Sequence, residues 1–273
     1  IAEFKKDSYH TYGYEQEEFG ICPYITFYIY HQDNEVEEIA NKIINIYEDF
    51  ENKIIDKPFK RRYRDTGVWK NANKWKPSHK ELINEMHQSF KRYPVYFIAA
   101  TTGNSPNQSA RWVFCAQFSD NNNSRYTTLK LSFGEKWYRE HKSKWYQFVQ
   151  HCLIKLNPIQ AYSGYEIGNS TNFNIVSPEF ETAERIFCDY FYGLDIDHPN
   201  MNHSHDGLDG FIYTPSLAAG IRTPTWCFLL SPYWIDKLGL SEEKIRLKLD
   251  DPRIELYLIN ISEPTRRYAI SYA

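Results

Sequence analysis

The sequence predicts an α+β fold, a mainly antiparallel sheet with helices packed on it. Three observations carry that expectation. Between Tyr93 and Phe133 three β-branched and aromatic runs follow one another with short polar connections, which favours meandering antiparallel strands over βαβ units. Helical stripes stand apart from these runs on both sides. No linker is long or polar enough to force a boundary, so residues 1–273 are expected to form a single domain, with 1–20 as a peripheral amino-terminal segment.

In chain order, CPYITFYIYH (Cys22 to His31) reads as a buried strand, because β-branched and aromatic residues suit a pleated, packed surface. Asn34 with Glu37 resembles a capping box, and Val36, Ile39, Ala40, Ile43, Tyr47, Phe50 and Ile54 then keep helical spacing. Residues from Lys57 to Pro77 read as irregular and basic, and carry Trp69 and Trp75. SHKELINEMHQSF is a helix capped by Ser78 with Glu81. YPVYFIAATT, RWVFCAQFS and YTTLKLSF are strands separated by GNSPNQSA and DNNNS.

After LKLSF, the residues Trp137, His141, Trp145, Phe148, Cys152 and Leu156 fall on one helical stripe that Pro158 closes. In SPEFETAERIFCDYFYGLD a helix is expected with Phe180, Ala183, Phe187, Tyr190 and Phe191 on its apolar face; Glu181, Glu184, Arg185 and Cys188 would point away, and Gly193 would end it. SEEKIRLKL reads as a helix, and RIELYLINI with RYAISYA as a hairpin across SEPTR. The local grammar of LSFGEKWY recurs in LLSPYWID, an apolar strand leading into a Trp-bearing helix, which suggests two similar strand–helix halves.

No apolar run approaches the roughly 20 residues of a membrane helix, and IAEFKKDSYHTYGYEQEEFG lacks the compact apolar region of a signal peptide. The chain begins at Ile1 without a methionine, which leaves open a preceding piece. Cys22, Cys115, Cys152, Cys188 and Cys227 are scattered singly with no CxxC pair, so buried thiols in a reducing, cytoplasmic setting are expected. The net charge of −3 hides a sorted distribution. Acids dominate from Glu15 to Asp56; bases, including Lys57, Arg61, Arg62 and Arg64, dominate from Lys57 to Arg92. Mutual neutralisation or simple solvation is the plain account; a nucleic-acid patch for 57–92 and a basic partner for the acidic part are the functional ones.

HPNMNHSHDGLDG, from His198 to Gly210, is the strongest metal candidate, with His198, His203, His205, Asp206 and Asp209 close together. Metal ligands need a rigid element and orienting partners, whereas these residues share one loop without HExxH spacing or a cysteine pair. Asn, His, Asp and Gly are also turn-forming residues, so a structural loop is the expectation, with no metal and no cofactor. No GxSxG, Walker loop or GxGxxG marks a catalytic residue.

The order of FYIYHQ, LSFGEKWY, AYSGYEIG, YGLDIDHP, GLDGF and PTWCFLLSPYWIDKLG resembles the type VI secretion immunity family, long catalogued as a domain of unknown function. The resemblance runs from about Tyr24 to the end. It implies a cytoplasmic, non-enzymatic protein that binds a cognate antibacterial toxin of VRR-Nuc or related restriction-endonuclease-like type, and blocks access of DNA or metal to the toxin's active site. It also places the histidines in a variable connection between GLDIDHP and GLDGF.

A nuclease must present a basic groove to phosphates, so carboxylates with aromatic anchors suit its inhibitor. One acidic surface is the helix around Glu37, Glu38, Glu48, Asp49 and Glu51. The other, Glu179, Glu181, Glu184, Asp189, Asp195 and Asp197, is preferred as the partner-binding candidate because it runs into a long loop, where specificity changes readily. No direct nucleic-acid or membrane partner is expected, and the oligomeric state is open. The alternatives are a metal-dependent hydrolase using the 198–209 loop and a nucleic-acid-binding module using 57–92.

Overall fold

The computed structural model describes residues 10–12, 17–31, 35–64, 69–74, 77–93, 95–105, 108, 112–119, 126–168, 184, 186–191, 193–195, 226–248, 254–259 and 267–272. The strand β2 (Glu17–Tyr30) lies at the centre of one large sheet. It pairs antiparallel with β7 (Tyr126–Ser132) on one edge and with β8 (Gln160–Gly168) on the other. Outward from β7 come β6 (Val113–Ser119), β5 (Val95–Thr101), β3 (Arg61–Arg64) and β4 (Lys70–Asn71). Outward from β8 come β10 (Cys227–Leu230), β12 (Arg267–Tyr272) and β11 (Ile254–Ile259). The short β1 (His10–Tyr12) pairs with the start of β2, and β9 (Leu194–Asp195) runs parallel to β8. The fold is α+β with an antiparallel sheet, as the sequence predicts.

Alternation along β2 builds the core. Ile25, Phe27 and Ile29 face one side and pack with α1 (Val36–Asp49), α2 (His79–Phe90) and α4 (Lys142–Leu156). Tyr24, Thr26 and Tyr28 face the other side and are equally buried. A strand sealed on both faces needs a near-continuous apolar run, which is what made it legible. Pro23 marks where β7 leaves: its carbonyl accepts from Phe133 N at 3.1 Å, but it has no N–H to return, so the ladder stops and the chain turns at Gly134 into α3 (Glu135–Glu140).

Helix α1 starts at Val36 with Glu35 in the cap position, whose side chain makes no cap bond; the expected Asn34 box falls on a residue outside the described ones. Its end widens into a π turn, Phe50–Ile54, closed by Ile55 N to Phe50 O at 3.1 Å. Phe50 is 0% exposed, and its ring stands 5.7 Å from Phe148, 5.9 Å from Trp112 and 6.1 Å from Phe59. The capping box at Ser78 and Glu81 is present as expected.

Three expectations need correction. The 57–77 stretch contains β3 and β4; Arg62, opposite Ala100, turns into the core and meets Glu51. The single helix expected after Phe133 is broken at His141 (φ −131°, ψ 32°), which separates α3 from α4 while His141 still stacks 4.9 Å from Trp137. Residues 186–190 are helical, but the phase differs: Glu184 is buried, and Phe187, Cys188 and Phe191 pack beside Ile167 and Leu194, whereas Tyr190 is exposed. Gly193 is not in a left-handed conformation; it lies close to Trp226, whose indole N–H donates to the Gly193 carbonyl at 2.5 Å.

The helices α5 (Pro232–Lys237) and α6 (Glu242–Lys248) follow β10, and Trp234 and Ile245 pack on Tyr28, Tyr162 and Leu230. The two matched strand–helix units therefore flank the central β2–β8 pair, β7 with α3 on one side and β10 with α5 on the other. Their chain order differs, since β5 and β6 precede β7 whereas β11 and β12 follow β10. The halves are alike in layout without being a simple tandem repeat. Phe50→Ala should destabilise the protein by about 3–5 kcal/mol, and Ser78→Ala by about 1 kcal/mol; urea unfolding midpoints at unchanged slope would measure both, and a smaller loss for Phe50 than for Ser78 would contradict this core.

Candidate functional site

Of the preferred acidic set, Glu179, Glu181 and Asp197 lie outside the described residues. Glu184 is 2% and Asp195 6% exposed, so neither offers its carboxylate to a partner. Burial follows from position: Glu184, Phe187, Cys188 and Phe191 share the i, i+3, i+4, i+7 stripe that packs inward. Asp195 sits on β9 opposite Glu166, and the Tyr24 hydroxyl donates to it. Lys130 Nζ lies 2.6 Å from Glu166 and 5.1 Å above the Tyr24 ring. Charges this deep persist only when paired. Tyr24, Lys130, Glu166 and Asp195 thus hold β9, and the helical residues before it, against the sheet. Sequence reading missed this network although a lone charge inside each of two strands, Lys130 in YTTLKLSF and Glu166 in AYSGYEIG, was its signal.

What the helical segment turns outward is Ile186 at 51% exposure, Tyr190 at 76%, and Asp189 between them. Of these three, the exposed tyrosine is of the kind that anchors protein interfaces, while Ile186 adds apolar area and Asp189 a charge beside it.

The other acidic surface is engaged within the fold. His87 Nε2 lies 3.0 Å from Glu37, His79 Nε2 2.9 Å from Glu48, and Lys42 2.6 Å from Glu38. Asp49 meets Lys53 at 2.6 Å, and Glu51 meets Arg62. The basic stretch is engaged in turn: Arg64 pairs with Glu85, Arg61 Nε donates to Asn104 O at 2.9 Å, and Lys60 donates to the Asn104 side chain at 2.7 Å. The two charged segments thus meet at Glu51–Arg62 and at two histidine contacts, while the other pairs form within each segment, and Arg62 is no surface cation.

A cleft of about 580 Å³ opens where β6 begins and β7 ends. Trp112, Phe133 and Trp137 line it, the two indoles meeting edge to face at 5.2 Å. Asp56 and Lys57, beyond the π turn, and Lys136 and Glu140, on α3, are exposed along it and have no ion-pair partner among the described residues. Ile21 lines the cleft and packs on the same Ile167–Leu194 cluster as Phe187, Cys188 and Phe191, so the cleft and the inner face of the helical segment share one packing cluster.

The histidine loop, 198–209, lies outside the described residues; among the described residues no group of three His, Cys, Asp or Glu is placed to hold a metal. No described helix is long and apolar enough to cross a membrane. All five cysteines are free thiols.

A family model described as type VI immunity for VRR-NUC (TsiV) matches residues 42–260, from α1 through β11. The chain belongs to the TsiV family. A solved structure, the Pseudomonas aeruginosa T6SS protein PA0821, shares the fold with a TM-score of 0.67 at 15% identity. That match covers 93% of this chain and 65% of the other, so this chain spans under two thirds of its neighbour's length. No curated protein matches.

Burial pushes the Cys227 thiol up to about 12, and burial with the nearby Glu184 does the same for Cys188. A raised thiol pKa disfavours the thiolate, so native alkylation at pH 8 should be slow at Cys22, Cys152, Cys188 and Cys227, and burial shields Cys115 as well; all five should react on unfolding. Because the unfolded thiol ionises first, the stability these groups contribute is intact below about pH 9 and falls as pH rises toward 12. Fast labelling of Cys188 or Cys227 in the folded protein at pH 8 would refute this.

Proposed function

We propose that this chain is an immunity protein that binds and neutralises a cognate type VI secretion effector of the VRR-NUC nuclease class. The observation that carries the reading is the family match across 42–260, which takes in most of the central sheet. Inhibition is by occlusion: the chain covers the nuclease's active site or DNA-binding groove and performs no chemistry of its own. A nuclease acts on cytoplasmic DNA, so its inhibitor works in the cytoplasm, a place that suits five unpaired thiols. Internal pairing of Arg61, Arg62 and Arg64 gives no support to direct nucleic-acid binding.

Within the acidic region first singled out, we assign the contact to Asp189 with Ile186 and Tyr190. A desolvated tyrosine supplies rigid buried area at low entropic cost, while a carboxylate steers approach to a surface built to hold phosphates. The inward Glu184 and Asp195 act indirectly, by holding this segment in place, and Glu179, Glu181 and Asp197 extend the same acidic region in sequence.

Co-expression with the VRR-NUC effector encoded beside this gene tests the function: survival and a co-purifying complex are expected, and death of cells making both proteins would reject the pairing. Within that complex, Tyr190→Ala should weaken binding by about 2 kcal/mol, roughly 30-fold, and Asp189→Lys should chiefly slow association, both at unchanged melting temperature. Glu184→Lys should instead lower the melting temperature, since it inserts an ammonium into a buried stripe. Wild-type affinity in the Tyr190 and Asp189 variants would move the contact elsewhere.

A further inference from the structure

The cleft is a concave site that carries charged residues with no ion-pair partner among the described residues. Its floor is aromatic: Trp112 is pinned by Phe50 at 5.9 Å and by Trp137 at 5.2 Å, and Phe133 by Trp145 at 3.8 Å. These rings are nearly buried, so what they show to the cleft is a small, rigid apolar floor that needs no ordering.

The walls carry opposite charges in equal number. Asp56 and Lys57 are adjacent on one side; Lys136 and Glu140, one helical turn apart, form the other. Their neighbours are spoken for, Lys60 by Asn104 and Glu135 by Arg139, whereas these four have no ion-pair partner among the described residues.

That pattern selects among ligands. A nucleic-acid strand or polyphosphate entering here meets Asp56 and Glu140 as well as the lysines, and a metal cation meets two ammonium groups. An extended polypeptide suits both: its carbonyls accept from Lys57 and Lys136, its N–H groups donate to Asp56 and Glu140, and an apolar side chain rests on the indoles. Donor and acceptor alternate along such a strand at about 3.3 Å per residue, so one segment satisfies both walls. A volume of about 580 Å³ is within the roughly 300–1,000 Å³ of enclosed ligand sites and admits a loop, not a flat surface.

Resting on the immunity reading above, we infer that this cleft receives a protruding loop of the nuclease partner, with Ile186, Asp189 and Tyr190 as the rim of the same interface. Ile21, in the cleft lining, and the inner face of the segment that bears the rim pack on the same Ile167–Leu194 cluster. Contact is thus split between a loop held in a groove and an aromatic anchor outside it.

The test uses the full chain and a catalytically silent form of the VRR-NUC effector encoded beside it. The double variant Lys57→Glu, Lys136→Glu should bind at least 10-fold more weakly by calorimetry at unchanged melting temperature. Benzoylphenylalanine placed at 57 or at 136 should cross-link to one contiguous segment of the effector. If the wild type binds while the double variant binds equally well and neither position cross-links, the cleft inference is overturned and the immunity reading stands. A small molecule carried by the purified wild type in native mass spectrometry and lost from the double variant would also overturn it. If the wild type does not bind, the immunity reading fails and this inference falls with it.

Discussion

Everything else in the molecule follows from a central strand that has no solvent to turn to. β2 is paired along both edges, and both of its faces are covered. Its backbone groups must then be satisfied by β7 and β8, which obliges the chain to return twice past the same residues. Its side chains must be satisfied separately on each face. Ile25, Phe27 and Ile29 need only an apolar layer, which α1, α2 and α4 provide. Tyr24 needs a hydrogen-bond partner in a dry place, and Asp195 is brought there by β9. One strand thereby specifies both the helical layer and the anchoring of the segment that presents the exposed residues.

How far the sequence was readable depends on whether a pattern is local. The two-residue period of the meander and the stripe of α1 survive without knowledge of neighbours, so β5, β6, β7 and most of α1 were legible. RRYR was not, because alternation with four charged or polar-tipped residues looks irregular until Glu51 is known to receive Arg62 inside the core. His141 was read as mid-helix because the aromatic spacing continues across it; only its backbone departs. The helix carrying Glu184 was placed correctly but rotated wrongly. Its acid was assigned to water by residue type, whereas tertiary packing set the phase and left Tyr190 outside. The candidate site was hardest for the same reason: Asp56 and Lys136 line one cleft from distant parts of the chain, and no spacing rule joins them.

The distribution of charge has a bearing on recognition. A chain with net charge −3 whose acidic helix is tied to His79, His87 and Arg62 projects little long-range field as a whole. On the proposed reading, attraction to a basic partner comes from local exposed charges such as Asp189. Such local charge acts mainly at short range, where it orients an encounter already under way.

The parallel pairing of β9 with β8 also bears on how a lineage of such proteins changes its target. Gly168 ends β8, and Leu194 begins β9 opposite Tyr165, so the two ends of the intervening stretch are clasped by backbone pairing and by the Tyr24–Asp195 bond. Closing a loop between fixed ends costs little more when the loop lengthens, about 0.6 kcal/mol for each doubling. Changes of length between these clasps therefore add little closure cost, as long as the packed stripe Glu184, Phe187, Cys188 and Phe191 is kept. A family built this way can vary the outward positions Ile186, Asp189 and Tyr190 while the packed stripe and the sheet stay unchanged.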